Sequence, residues 1–414
     1  MAWPAGFRRG TLISQFSHHH VVVFLLTFFS YSLLHASRKT FSNVKVSISR
    51  QWTPTAFNKS AELPVEIWSS NRLFPSAEEA TLFLGTLDTI FLFSYAVGLF
   101  ISGIVGDRLN LRGFLSFGMC SSALVYAFLV TASVQFAGGI VIFFGLLVSP
   151  EEIGLPGVEA EDTLEEDSHR PLINGAEDED ECEPGYSVQA GDAAVTQVKA
   201  ISFSQACCLP GVILYSLAYA CLKLVNYSFF FWLPFYLSNN FEWKEAEADQ
   251  LSIWYDVGGI IGGTLQGFIS DLLQKRAPVL ALSLLLATGA LVGYSRSPDD
   301  KSVNALLMAV TGFFIGGPSN MISSAISADL GRQELVRGSS EALATVTGII
   351  DGTGSVGAAV GQFLVSLIQD KLGWMWVFYF FILMTGCTIA FISPLIVREV
   401  GHLVQRRQAR TLND

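Results

Sequence analysis

Long apolar runs broken by short polar turns cover most of the chain. One run extends from Leu214 to Tyr236 and contains a single charged residue, Lys223. About 20 apolar residues are enough for a helix to cross the hydrocarbon core of a bilayer, so this run predicts a transmembrane helix. The other apolar runs predict spans at about residues 20–36, 82–105, 253–272, 278–295, 303–326, 342–368 and 374–397.

The stretch from Phe114 to Val148 contains no charged residue and is too long for one spanning helix. Arg108 and Arg112 precede it and an acidic segment follows it, and both flanks favour the cytosolic side. A hairpin of two spans keeps both flanks on that side. We therefore expect an all-α, multi-pass membrane protein with about ten spans and two cytosolic termini.

Two polar stretches separate groups of spans. Residues 40–80 are predicted to form a lumenal loop, which contains an acceptor for N-glycosylation at Asn58. Residues 149–200 are predicted to be a disordered cytosolic linker, because they are rich in acidic residues, Gly and Pro. The predicted domains are a shortened helical bundle at 1–148, the linker at 149–200, a six-helix bundle at 201–400 and a basic cytosolic tail at 401–414.

Composition supports a membrane protein and places the negative charge in one segment. Charged residues make up 15% of the chain, whereas soluble domains average about a quarter. The net charge is −11, but the segment from Glu151 to Asp192 alone has 15 acidic residues and one Arg. The rest of the chain is therefore slightly basic, and the overall acidity says nothing about a ligand.

The residues that could bind metal or form disulfides show no suitable spacing. The six cysteines fit neither a disulfide framework nor a zinc site, and we expect no cofactor. His18, His19 and His20 are consecutive, so a helix would point them to different faces. An integral-membrane enzyme is the hypothesis that the sequence favours least, and no nucleic-acid partner is expected.

Lys223 is the first candidate site residue. A lysine near the middle of a span is costly and rarely faces lipid. One hypothesis is that Lys223 lines a water-filled cavity and binds a phosphate or another counter-ion, with Asn226 and Tyr227 adding polar groups one turn along. The alternative is that its side chain extends towards the membrane interface.

An internal repeat suggests how the spans are organised. The segment from Val97 to Asp107 aligns without gaps to that from Ile261 to Asp271, and each lies at the end of the second span of its half. The matched pairs are Gly98 with Gly262, Gly103 with Gly267 and Asp107 with Asp271. Glycines at such spacing allow helices to approach closely in lipid. The repeat predicts a transporter of two related halves with a binding site between them.

Several motifs resemble those of the sugar-phosphate exchangers, a family of organophosphate:phosphate antiporters within the major facilitator superfamily. The resemblance covers nearly the whole chain. Its motifs are GIVGDRLNLR from Gly103, HASRKTF from His35, WLPFYL from Trp232, DVGGIIGG from Asp256, GGPSNMISSAISADLG from Gly316 and TVTGIIDGTGSVGAAVG from Thr345.

The resemblance implies a substrate site. In that family an arginine of the first helix and a basic residue of the seventh bind the substrate phosphate, and Arg38 matches the first of these. Lys39 matches its neighbour, and Asp256 matches an acidic residue that can pair with that neighbour. The second cation of the family corresponds to Asn226, while Lys223 lies three residues earlier, about one turn away. Tyr227 completes the predicted set of binding residues.

The resemblance also implies that the first half is shortened, as alternative splicing would produce. The family has twelve spans, whereas this chain has about four in the first half and six in the second. The third span is predicted to end after about Val125 and to join directly to a segment resembling the sixth, Tyr126 to Val148.

The function implied is antiport of phosphate-bearing organic anions, such as sugar phosphates or phosphonates, against inorganic phosphate by alternating access. The alternative is a transport-incompetent shortened form that acts as a membrane binding or accessory partner. Leu172 and Ile173 end a segment similar to an acidic dileucine sorting signal. The expected location is an intracellular membrane, that of the lysosome or of the endoplasmic reticulum.

Overall fold

The computed structural model describes residues 18–52, 77–109, 113–117, 140, 144, 201–273, 275–333 and 342–411, and its regular structure there is helical. A π-helical turn, Ile322–Ile326, joins two of the helices. In chain order the helices are α1 (His18–Trp52), α2 (Ala77–Gly106), α3 (Phe203–Cys208), α4 (Val212–Asn240), α5 (Glu245–Leu273), α6 (Ala277–Tyr294), α7 (Lys301–Met321), α8 (Ser327–Gly331), α9 (Leu343–Leu372) and α10 (Trp374–Thr411).

Within these residues, six helical segments are long and apolar enough to cross a membrane. They are Glu79–Gly106, Val212–Asn240, Ala277–Tyr294, Lys301–Gly331, Leu343–Leu372 and Trp374–Arg398. Their positions agree with the predicted spans to within a few residues, although α10 continues to Thr411 through most of the predicted tail. Most of the predicted hairpin at 114–148, residues 53–76 of the predicted loop and the whole predicted linker at 149–200 lie outside the described residues, so the count of ten stays a prediction.

The first helix differs most from expectation. Sequence predicted a span at about 20–36 and a loop from residue 40, but α1 is continuous to Trp52. The predicted loop boundary at 40 is therefore wrong, as is that at 80, because α2 already begins at Ala77. The reason is that Lys39, Ser42, Lys45 and Ser49 recur at helical spacing, so their polar side chains lie on one face of a helix that packs against protein.

The chain forms two compact units, of which one contains His35–Arg108 and Lys199–Asp414. In this unit α2 packs along α9, α5 packs along α7, and α4 contacts α9 and α10. The other unit contains residues 1–34 and 109–198. Its described part is mainly the start of α1, where the rings of Phe24 and Phe28 stack with their centroids 6.1 Å apart.

Glycines of the predicted repeat take part in close helix contacts, but the two copies use different positions. A Cβ on Gly348 of α9 would lie 2.8 Å from the Cα of Gly103, and a Cβ on Gly262 would lie 2.8 Å from the Cα of Phe313 in α7. A Cβ on Gly98 or Gly267 would meet open space. Backbone contact without side chains is a common way to hold helices together in lipid. The repeat therefore marks packing glycines in both copies without repeating the contact.

Candidate functional site

Lys223 is almost fully buried and holds α4 to α9. Its side chain is 1% exposed, and its Nζ donates to Asp351 Oδ1 at 2.7 Å and to Ser355 Oγ at 2.9 Å. Gly354 leaves the room for this arrangement, because a Cβ there would lie 3.0 Å from the Cδ of Lys223. The alternative that Lys223 extends towards the membrane interface gains no support from this geometry, since a carboxylate on the neighbouring helix pairs with its charge.

Three tyrosine rings surround the same ammonium group. The Nζ of Lys223 lies 5.7 Å from the ring centroid of Tyr95, 5.2 Å from that of Tyr219 and 5.1 Å from that of Tyr227. Ring faces at these distances attract a cation, and the attraction is stronger where water is excluded. Tyr227, a predicted site residue, therefore contributes its ring to the environment of Lys223.

Lys39 and Asp256 form the pair that the family resemblance implied. The Nζ of Lys39 lies 3.5 Å from Asp256 Oδ2. The same Nζ donates to the carbonyl oxygen of Phe230 at 3.1 Å and lies 4.4 Å from the centroid of its ring. This places a cation of α1 on the middle of α4, next to a carboxylate of α5.

Asn226, which the family resemblance matches to the second cation, has a different set of partners. Its Nδ2 donates to Ser319 Oγ at 3.2 Å, and its Oδ1 accepts a bond from the hydroxyl of Tyr255 at 2.8 Å. Asn226 thus links α4 to α5 and α7. These bonds use both ends of its amide.

Lys45 and Asp88 form a further ion pair that sequence reasoning missed. Both side chains are buried, and the Nζ of Lys45 also donates to the carbonyl of Phe231 at 3.2 Å and lies 4.1 Å from the ring of Trp232. Lys45 was missed because it fell in the predicted loop. Asp88 could have been found, since it is the only charged residue of the predicted span at 82–105.

Asp351 was missed although the sequence contained the same signal. It is the only charged residue of the predicted span at 342–368. An isolated acid inside a span needs a partner, because a charge without one is costly in that environment. In the structure Lys223 is that partner.

The other predicted site residues lie wholly or partly outside the described residues. The backbone of Arg38 belongs to α1, but its side chain lies outside the part that the structure describes. Asn58, Leu172 and Ile173 also lie outside the described residues. Within the described residues, no group of three or more His, Cys, Asp or Glu side chains could hold a metal ion.

The described site thus consists of lysine–aspartate pairs that join five helices. The pairs are Lys45–Asp88 between α1 and α2, Lys39–Asp256 between α1 and α5, and Lys223–Asp351 between α4 and α9. In each pair the lysine is already neutralised. An anion can bind to one of these lysines only by replacing or sharing its carboxylate partner.

Comparison with known proteins identifies the family. The sequence profile of the Major Facilitator Superfamily matches residues 126–340. The chain is 73% identical over 496 residues to Sugar phosphate exchanger 3 of Bos taurus and 72% identical over 495 residues to that of Homo sapiens, in both cases over 100% of both chains. It is also 31% identical over 477 residues to Glucose-6-phosphate exchanger SLC37A2 of Xenopus tropicalis, which covers 94% of this chain and 95% of the relative.

These similarities also bear on length and fold. The bovine alignment has 496 positions and this chain has 414 residues, so at least 82 positions of that alignment have no residue here. The predicted fold class, an all-α membrane protein of the major facilitator type, is confirmed. The chain belongs to the sugar phosphate exchanger family of the major facilitator superfamily.

Proposed function

We propose that the chain is a secondary antiporter that exchanges phosphate-bearing organic anions, such as sugar phosphates or phosphonates, against inorganic phosphate. The relatives are named exchangers of sugar phosphate or glucose 6-phosphate, which supports the substrate class. Alternating access of two repeated halves around a central site is the mechanism that such an architecture favours.

The Lys223–Asp351 pair is the observation that carries this proposal. A buried ammonium is costly unless it is paired, so Lys223 needs an anion at all times. Asp351 supplies that anion, and its side chain is 20% exposed whereas that of Lys223 is 1% exposed. A phosphate that enters beside Asp351 can take over its role, and Asp351 can return when the phosphate leaves.

Arg38 and Lys39 would bind the phosphate together with Lys223. An arginine can donate two parallel hydrogen bonds to one phosphate, which a lysine cannot do. Lys39 is kept neutralised by Asp256 between substrates, as the family resemblance implies. In this proposal Asn226 and Tyr227 line the site and do not carry charge to the phosphate.

Alternating access requires contacts that can open at one end of the helices. Asp107 at the end of α2 accepts backbone hydrogen bonds from Ala344 and Thr345, both at 2.8 Å. These two N–H groups belong to the first turn of α9, where helical donors lack partners within the helix. We propose that this cap holds α2 on α9 in one access state.

A second candidate function follows from the length of the chain. At least 82 positions of the bovine alignment lack a residue here, which supports a shortened chain. If the missing part includes one wall of the cavity, the chain would bind in the membrane without transporting. It would then act as an accessory chain or occupy the assembly sites of a partner.

Counter-flow of labelled inorganic phosphate in proteoliposomes tests both candidates. The purified chain, reconstituted into phosphate-loaded vesicles, should accumulate label, and Lys223→Ala should abolish accumulation. Lys371→Ala is the matched control, because Lys371 is an exposed lysine at the end of α9. Arg38→Lys should retain little counter-flow activity, because a lysine cannot donate two parallel hydrogen bonds to one phosphate.

A folded parent protein that shows no counter-flow would contradict antiport and favour the accessory function. Accumulation by Lys223→Ala equal to that of the parent would remove Lys223 from the site. Loss of activity in Lys371→Ala as large as in Lys223→Ala would point to general damage from removing a lysine.

Location is a separate proposal. We infer an intracellular membrane, that of the lysosome if the signal at Leu172-Ile173 acts and that of the endoplasmic reticulum if the shortened chain is retained. Replacing Leu172 and Ile173 by alanine should send a lysosomal protein to the cell surface. Unchanged co-localisation with lysosomal markers would exclude this signal. Glycosidase treatment that increases gel mobility would support a lumenal Asn58.

A further inference from the structure

Three of the long helices contain an internal proline, and each proline leaves a backbone carbonyl without its helical donor. Proline has no N–H, so the carbonyl four residues earlier cannot form the usual helical hydrogen bond. An unsatisfied carbonyl in an apolar setting is costly, and another donor is therefore expected. The pairs of proline and carbonyl are Pro234 with Phe230 in α4, Pro318 with Phe314 in α7 and Pro394 with Ala390 in α10.

In α10 the donor lies on the same helix, and in α7 it lies on the preceding helix. The hydroxyl of Ser393, on α10 itself, donates to the carbonyl of Ala390 at 2.8 Å. The hydroxyl of Ser283, on the neighbouring helix α6, lies 3.5 Å from the carbonyl of Phe314. Both donors belong to the second half of the chain, so the carbonyls freed by these two prolines form no contact with the first half through these hydrogen bonds.

In α4 the donors come from the first half of the chain. The carbonyl of Phe230 accepts from Lys39 Nζ at 3.1 Å and from Ser42 Oγ at 3.0 Å, both on α1. Ser42 also lies 3.1 Å from the carbonyl oxygen of Phe231. Ser42 is fully buried, so water cannot replace it as the donor.

We propose that Pro234 is a positioning residue for the cationic face of α1. By withholding its N–H it makes the Phe230 carbonyl available, and this carbonyl fixes Lys39 and Ser42 on α4. The Lys39 ammonium is then held between the Phe230 carbonyl and Asp256, where a phosphate can reach it. The role in anion binding rests on the proposed antiport, whereas the contact itself does not.

The test is a double-mutant cycle of Pro234→Ala and Ser42→Ala, measured as phosphate:phosphate exchange by the full chain in proteoliposomes. Pro234→Ala gives residue 234 an N–H that competes for the Phe230 carbonyl. We expect the KM for inorganic phosphate to rise about fivefold, the effect of one hydrogen bond, with the maximal rate per folded protein nearly unchanged. The double variant should have a KM close to that of Pro234→Ala alone, because both changes break the same contact between α1 and α4.

Pro394→Ala is the matched control, because its carbonyl has a donor on its own helix. It should leave the KM unchanged and combine additively with Ser42→Ala. An unchanged KM in Pro234→Ala, or an equal rise in Pro394→Ala, would overturn the proposal. If Pro234→Ala does not fold, the proposal is tested by Ser42→Ala alone. A KM in Ser42→Ala equal to that of the parent would then overturn the proposal.

A failure of antiport can be told apart from a failure of this proposal. If the parent does not exchange phosphate, the same four proteins are compared by their unfolding temperatures in detergent. If the decreases in unfolding temperature caused by Pro234→Ala and Ser42→Ala are not additive, the α1–α4 contact is supported even though antiport is contradicted. Additive losses would show that Pro234 does not act through this carbonyl.

Discussion

The Lys45–Asp88 and Lys223–Asp351 pairs have the same chemistry and different access to water. In the first pair the lysine is 0% and the aspartate 1% exposed, and in the second the values are 1% and 20%. Both lysines lie against aromatic rings, and each pair connects two different helices. The main difference is that a solute can approach Asp351 but not Asp88.

This difference distinguishes a structural contact from a binding site. A fully enclosed ion pair is stable only if both members stay, because each alone would be an unpaired buried charge. A pair with one accessible member can exchange that member for a ligand of the same charge. Lys39–Asp256, with 18% and 37% exposure, belongs with the accessible class. Exposure of the carboxylate therefore indicates which lysine can receive an anion.

The largest effect is expected from Asp88→Asn. It leaves the Lys45 ammonium buried without a counter-charge, and the free energy of unfolding should fall by about 3–5 kcal/mol. Added phosphate should not restore the lost free energy of unfolding, since no solute reaches the Lys45–Asp88 pair. The measurement is denaturant unfolding in detergent with and without phosphate. Recovery of stability by phosphate would contradict the comparison, and the double variant Lys45→Met with Asp88→Leu should recover part of the loss without any ligand.

A smaller loss and a different response are expected from Asp351→Asn. Ser355 still accepts from Lys223, but its counter-charge is gone, and a phosphate can now occupy the place of the carboxylate. Phosphate at 100 times its dissociation constant should stabilise this variant by about 2.7 kcal/mol. The unfolding temperature should therefore rise more with added phosphate than that of the parent, with chloride as the control. An equal response in both proteins would show that phosphate does not compete with Asp351.

The fold could be predicted largely from hydropathy, because spans depend on length and on the absence of charge. The prediction worked best from α4 to α9, where polar turns are short and the apolar runs have clear ends. It failed for α1, whose second half is polar on the face that contacts α4. A hydropathy pattern detects lipid-facing surface, and a helix whose polar face meets protein looks like a loop.

The site could be predicted in part. Lys223 was found because an isolated charge in a span stands out, and Lys39 and Asp256 because of the family resemblance. The partner of Lys223 required three-dimensional packing, since Asp351 lies on a helix that is distant in sequence from Lys223. The donors to the Phe230 carbonyl were also beyond sequence reasoning. Pro234 indicates that a carbonyl is free, but not which helix supplies the donor.

The smallest effect is expected from a pair at the surface, Glu247 with Lys301. Their oxygen and nitrogen are 2.9 Å apart, and the side chains are 44% and 51% exposed. Glu247 lies before the predicted span at 253–272, and its hydrogen bond with Lys301 holds the pKa of its carboxyl below the ordinary value of 4.5. Glu247→Gln should change the unfolding temperature only slightly near neutral pH, because exposed pairs contribute little and salt screens them.

The pH dependence of this small effect follows from the direction of the shift. A carboxyl whose pKa is lowered by folding contributes stability at pH values above its unfolded pKa and loses it as the pH falls through the folded one. The difference between Glu247→Gln and the parent should therefore be constant near neutral pH and disappear as the pH falls below the lowered pKa of Glu247 in the folded protein. Unfolding temperatures of both proteins across this range, at low and high salt, provide the measurement. A difference as large as that of Asp351→Asn, or one that persists at low pH, would mean that exposure does not rank these pairs.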